Sequence, residues 1–300
     1  GAAAAVGSGM LAVAHAADGG GSIRIPASFC GLFGFKSSRG LTPHFYEQFE
    51  PVRLSTAGCV SHTVADSAAV SDILCGRPVA RRGSLLDRID APLGRALRVR
   101  VCWDSPLARA DDEIADAVQR VAAVIESLGH EVELGPPLEA SIDEFLPVYG
   151  RLAANPPVVR ESQLQPVTRW LRSIGRGVRH EEAQRITDDL ARRVFRWFGD
   201  ADVWVLPTTP TTAPRVGQWS ALGPEAHFRA AALLGAFTAP FNVSGQPAAN
   251  IPAGRSRDDL PIGVQIAGRL GDDLVILQLA RELERAIPWR SNLNPAAGRP

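Results

Sequence analysis

Lysine is almost absent from this chain: Lys36 is the only one, and every other basic side chain is arginine. Chemistry that needs a lysine amine therefore has a single candidate. Positive and negative side chains balance at 32 each, which removes the electrostatic footprint of a nucleic-acid or anionic-membrane binder. The four cysteines, Cys30, Cys59, Cys75 and Cys102, form no C-x-x-C pair and stand near no histidine cluster, so no zinc site is expected, and no other cofactor. Their apolar or small neighbours point to buried, reduced thiols and a cytoplasmic protein. No apolar run approaches the roughly 18–20 residues that a membrane helix needs, and no targeting signal is visible. The chain opens on Gly1 and not on methionine, inside small apolar sequence typical of a domain interior. We therefore expect an N-terminal part to be missing.

What is present suits one α/β domain over 1–300: 45% of the residues are hydrophobic, 21% are charged, and no repeat or low-complexity linker divides the chain. The small-residue opening predicts a tightly packed helix over 2–10 and a short buried strand over 11–16. Residues 18–26 (DGGGSIRIP) read as a glycine-rich turn running into a proline-bounded extended piece, with a strand over 30–35. Helical spacing covers 61–75, through Val64, Ala68, Ile73 and Leu74. Alternation over 97–103 predicts a strand, and 111–128 an amphipathic helix opened by Asp111, Asp112 and Glu113. Gly129 is placed to cap that helix, and 130–134 returns as a strand, giving a βαβ unit. Proline-rich loops bracket a region of helical character after residue 136, followed by a helix over 181–198. A strand over 203–206, a helix over 222–237, strands over 248–251 and 262–266, and a helix over 273–286 complete the pattern.

The chemistry concentrates at Asp18–Gly19–Gly20–Gly21–Ser22. Three consecutive glycines remove every β-carbon from the approach to Ser22, so backbone N–H groups can converge on one point. Such a nest binds an anion, either a phosphate or the oxyanion of an acyl-transfer intermediate, and the motif alone does not choose between them. It lacks the lysine of a Walker phosphate loop and fails the G-x-S-x-G pattern of a nucleophile elbow. A plain tight turn is the remaining alternative.

The wider string narrows the choice. GAAAAVGSG followed by DGGGSIRIPASFCGLFGFKSSRG closely resembles the amidase signature. STAGCVSHTVADSAAVSDIL, VLPTTPTTAP, FTAPFNVSGQPAANIPAG and LPIGVQIAGRLGDDLVILQLARELE resemble later segments of that family. The likeness touches most of the chain except roughly 140–200. It implies a layered α/β/α fold with a mixed central sheet and hydrolysis of carboxamide bonds through an acyl-enzyme on Ser22. It further implies Gly19, Gly20, Gly21 and Ser22 as backbone donors of an oxyanion hole, and Asp18 and Arg24 as an ion pair bracing the loop. Family members activate their nucleophile with a second serine and an unprotonated lysine, and by position both would precede residue 1. Ser8 and Lys36 do not match those positions, so this chain alone is expected to be nearly inert. AHA before DGGGSIRIPAS is similar to the branch that includes 6-aminohexanoate cyclic-dimer hydrolases, hence a small linear or cyclic amide as substrate. Neither nucleic acid nor membrane is an expected partner, and a homodimer is compatible with the resemblance. Three alternatives remain: a glutaminase-type subunit of a tRNA-dependent amidotransferase, disfavoured by Gly19 after the aspartate; an inactive amidase-fold remnant; and a nucleotide-binding domain, which no Walker lysine supports. Of the scattered histidines His15 is nearest to Ser22, and its alanine-rich surroundings suit a structural hydrogen bond.

Overall fold

The central strands are short apolar runs, and the side-chain period of two sends alternate residues to opposite faces. In the computed structural model, which describes residues 1–43, 52–287 and 289, they build one mixed sheet. Its strands are β1 (Val13–Asp18), β2 (Phe33–Lys36), β3 (Thr56–Ser61), β4 (Arg98–Val101), β5 (Glu131–Leu134), β6 (Val203–Pro207), β7 (Ala248–Arg255) and β8 (Pro261–Gly268). They lie in the order β1-β3-β2-β7-β8-β6-β4-β5. β4 runs parallel to both β5 and β6, and the other pairs are antiparallel.

The two faces carry different helices. Phe33, Phe35, Val203, Val205, Ile251, Val264 and Ile266 meet α3 (Val64–Leu74), α5 (Asp112–Ser127) and α11 (Asp273–Ala286) in the largest core cluster. On the opposite face Trp204, Leu206, Ala248 and Ala267 meet Phe198, at the end of α8 (His180–Phe198), and Phe241 of α10 (Ala239–Ser244). Near β1, α1 (Ala2–Gly7) and α2 (Arg24–Phe29) close a smaller cluster around Val6, Ile23, Ala27 and Val60. The arrangement is the α/β/α layering with a mixed sheet that the family resemblance implied. A helical region, α6 (Ile142–Ala154), α7 (Pro166–Gly175), α8 and α9 (Pro224–Ala232), stands beside that second face. α6 and α7 approach so closely at Gly150 and Gly175 that a β-carbon on Gly175 would overlap the Gly150 carbonyl.

Several expectations need correction. Residues 24–29 form α2 and not an extended piece, because Pro26 sits in the first turn, where its fixed φ suits the helix and its ring meets no preceding turn, at the loss of one ladder bond to the Ser22 carbonyl. The Ile25 N–H donates to the Gly21 carbonyl at 2.7 Å, which starts the helix at the glycine turn. Ser61 ends β3; α3 begins three residues later, where the Thr63 hydroxyl caps it by accepting from the Asp66 N–H at 3.0 Å. The helix expected over 222–237 stops at Ala232 and gives way to a single 3-10 turn, Leu233–Gly235. The four cysteines are free thiols, with Cys59 and Cys102 buried but Cys30 and Cys75 only half-buried. No described helix is long and apolar enough to cross a membrane.

Lys36 lies on β2, wholly buried, with Nζ donating to the Ser37 carbonyl at 2.9 Å. Burial and the nearby Arg24 and Arg39 charges push its pKa down to about 7, against the pull of Asp18 and Asp273. An unfolded lysine titrates near 10.4, so above pH 7 the unfolded state holds a proton that the folded state has lost. Stability should then rise with pH, by about 1 kcal/mol per pH unit from this group. Cys59, whose thiol burial pushes up to about 11, acts in the opposite direction above its unfolded value near 8.5. The expected result is therefore confined to pH 7–8.5: urea denaturation shows stability increasing for the wild type, and Lys36→Met flattens the slope. An equal slope in both proteins would assign the effect to other groups.

Candidate active site

Ser22 occupies the connection between β1, which ends at Asp18, and α2, which starts at Arg24. Strand and helix hold both ends of this short segment. Gly21 and Ile23 are buried, whereas Ser22 between them is exposed. Asp18 and Arg24 are both wholly buried and pair through two contacts, Nη2 to Oδ1 and Nε to Oδ2, each 2.9 Å. The same carboxylate accepts the Gly21 N–H at 2.7 Å and the Ile23 N–H at 3.2 Å, so it ties the turn to the strand. Burial alone would raise the Asp18 pKa. The Arg24 guanidinium outweighs it and, with Lys36 and Asn242, holds the carboxyl well below the usual range.

Arg24 finds an acceptor for each of its five N–H donors. Two go to Asp18, and the others reach the Thr238 carbonyl (2.9 Å), Gln265 Oε1 (2.6 Å) and Asn242 Oδ1 (2.7 Å). Asn242 Nδ2 in turn donates to the Asp18 carbonyl at 2.8 Å and to its carboxylate at 2.9 Å. The Thr238 hydroxyl donates to the Gly20 carbonyl at 2.8 Å. The Gly20–Gly21 peptide is thus held at both ends, by Thr238 at its oxygen and by Asp18 at its N–H. Sequence reasoning missed Thr238, Asn242 and Gln265. Their signal was a polar residue inside an apolar run, as in FNVSG and GVQIA, since a buried polar side chain must find a partner.

Of the four amides expected to face an oxyanion, Gly21's is already committed to Asp18, because a buried carboxylate outcompetes any neutral acceptor. The Gly19, Gly20 and Ser22 amides have no acceptor among the described residues. Gly20 and Ser22 border a cavity of about 400 Å³ walled by α6, α7, α8, α9 and α10. His15 does not reach it: on edge strand β1, opposite Cys59, it is exposed and not in a buried stretch as expected. His227 lies on the cavity wall, and His44 lies outside the described residues.

The Amidase family model matches residues 1–277. The chain belongs to the amidase family. AmiC of Mycobacterium tuberculosis is 32% identical over 316 aligned residues, covering 96% of this chain and 64% of that protein. The chain thus spans a little under two thirds of that relative's length. The 6-aminohexanoate-cyclic-dimer hydrolase of Paenarthrobacter ureafaciens is 32% identical over 343 residues, 99% of this chain and 68% of the enzyme. A solved 6-aminohexanoate cyclic dimer hydrolase, complexed with substrate, superposes with a TM-score of 0.85 at 30% identity, over 97% of this chain and 69% of the other. A bacterial aryl acylamidase structure shares the fold, with a TM-score of 0.82 at 23% identity over 100% of this chain and 67% of the other.

The glycines of this amidase loop are not equivalent. A β-carbon on Gly20 would meet nothing within 4 Å, so Gly20→Ala should fold normally while placing a methyl group beside Ser22. Gly21 has φ +123°, and a β-carbon there would collide with the Thr238 hydroxyl and come within 2.6 Å of Ile25 Cδ1. Gly21→Ala should lose on the order of 2–3 kcal/mol of stability, and Gly20→Ala should lose turnover, about tenfold or more, without it. Paired thermal melts and rate measurements check this, and equal melting losses in both variants would refute the distinction.

Proposed function

We propose that this chain carries the nucleophilic centre of an enzyme that hydrolyses carboxamide bonds, with Ser22 Oγ as the nucleophile. The observation that carries the reading is an exposed serine hydroxyl at the edge of a mostly apolar cavity, beside peptide amides with no acceptor among the described residues and braced by a buried ion pair. In this reaction Oγ attacks the amide carbon and gives its proton to a base, and the carbonyl electrons move onto oxygen. The Gly19, Gly20 and Ser22 N–H groups are the donors available to that oxyanion. Collapse breaks the C–N bond, the base returns the proton to the departing amine, and water then releases the acid from Ser22. Asp18, Arg24 and Thr238 act by holding the loop.

Among the described residues no side chain hydrogen-bonds Ser22 Oγ, and Lys36 Nζ is bonded to the Ser37 carbonyl. The reading therefore requires an activating base that no hydrogen bond of the described residues identifies. The cavity argues against a glutaminase role, because the guanidinium on its wall, Arg193, is already paired with Glu144 at 2.8 and 3.1 Å. A free amino acid's carboxylate would have to compete with Glu144 for that guanidinium.

A fluorophosphonate probe followed by peptide mapping tests the assignment on the protein produced from its own gene. The adduct is expected on Ser22. Ser141, which also lines the cavity, is the natural competitor, and labelling there with Ser22 untouched would overturn the reading.

A further inference from the structure

We propose that the cavity beside Ser22 selects amides carrying a flat, uncharged apolar group at least the size of a benzene ring, with Tyr149 and Phe228 as the specificity-determining side chains. This rests on the reading of Ser22 as the nucleophile. The cavity measures about 400 Å³, whereas roughly 150 Å³ of apolar space is enough to bind benzene. An amide of two or three carbons would leave most of it unfilled and gain little from its walls.

The wall chemistry favours rings. Phe145, Tyr149, Phe228 and Trp170 form a continuous aromatic row, with centroid separations of 5.9, 5.6 and 5.6 Å and tilted planes. Three helices contribute to the row, α6, α7 and α9, and its first three rings border the cavity. The spacings are those of favourable edge-to-face or offset contacts, which a further ring can extend. The glycine contact between α6 and α7 fixes the helix that presents Tyr149, so the wall is preformed. Charge works by exclusion. The Arg193 guanidinium is neutralised by Glu144 and also donates to the Glu139 backbone carbonyl at 3.4 Å, so the arginine lining the cavity is already engaged. An anionic substituent would leave water for a mostly apolar lining whose guanidinium already has its carboxylate.

Binding to the Ser22→Ala variant, read by calorimetry, separates this proposal from catalysis. Phenylacetamide is expected to bind at least tenfold more tightly than propionamide, and 4-carboxyphenylacetamide at least tenfold more weakly than phenylacetamide. Phe228→Ala and Tyr149→Ala, each added to Ser22→Ala, should both shrink the phenylacetamide-to-propionamide ratio by about tenfold. The two substitutions lie on different helices, so a folding failure in one leaves the other decisive. Equal affinities for the two neutral amides, a ratio unchanged in a folded variant, or tight binding of the carboxylate would each overturn the proposal. Should Ser22→Ala still hydrolyse amides, the nucleophile assignment fails, and the affinity ratios still decide the cavity's preference.

Discussion

Replacing Ser22 by alanine is expected to lower kcat for amide hydrolysis by about 10⁴–10⁶-fold, the scale seen when an acyl-transfer nucleophile is removed. The fall should come with almost no change in folding. Ser22 is exposed and its hydroxyl has no partner among the described residues, so its loss breaks no internal contact. A stability change within about 0.5 kcal/mol is typical of such a surface substitution. Rates on a simple aryl amide and thermal melts of the two proteins, each produced from its own full gene, decide the matter. A variant that retains a tenth of the wild-type rate would remove Ser22 from the chemistry, whatever the loop geometry suggests.

Arg24→Met should behave in the opposite manner, losing stability and activity together. The substitution deletes five donors at once and strands the Asp18 carboxylate in the interior. Breaking a buried pair by removing one partner costs about 3–5 kcal/mol. Arg24→Lys should rescue little, since an ammonium offers three donors and cannot span the bidentate carboxylate together with the acceptors on Thr238, Asn242 and Gln265. The pH dependence has a definite sign. The folded Asp18 pKa lies below its unfolded value, so the stability it contributes is present above about pH 4 and is lost progressively as pH falls through the folded value. Urea denaturation at pH 7 and at pH 3 should show the gap between wild type and Arg24→Met narrowing at low pH. A difference below about 1 kcal/mol at pH 7 would mean that the pair contributes little.

These two variants also separate what a loop residue does from what its support does. Ser22 and Gly20 face open space, and their substitution tests chemistry. Arg24, Asp18 and Gly21 face the interior, and their substitution tests the scaffold that places the amides.

Reading the sequence alone worked where the deciding interactions are local. Residues 273–286 carry an apolar stripe at helical spacing, and the helix occupies that span. The strand, helix, glycine, strand pattern of 97–134 became β4, α5 and β5, with Gly129 in the left-handed region at φ +94°. The glycine run, the serine and the six-residue separation of Asp18 and Arg24 were all visible, because they lie within one strand–turn–helix. Local reading failed at α2, where a proline suggested extension but fell in the one turn of a helix that tolerates it. It also passed over β3, whose TAGCVS carries only two strand-favouring side chains, Thr56 and Val60, among small residues yet is buried along its whole length.

What the sequence determined by itself was the α/β class and the family resemblance, and it also supplied the motif on which the proposed chemistry rests, since period, propensity and motif are properties of neighbouring residues. Tertiary structure alone decided which amides remain free and what surrounds them. Asp18 takes the Gly21 N–H only because the turn folds back on its own strand end, while Thr238, Asn242 and Gln265 arrive from more than 200 residues away to complete Arg24. The cavity likewise takes its walls from α6, α7, α8, α9 and α10, helices spread along the chain, of which α6, α8 and α10 share one buried apolar cluster. No spacing in the sequence encodes such contacts, because each depends on where a remote backbone stops and not on what its neighbours are.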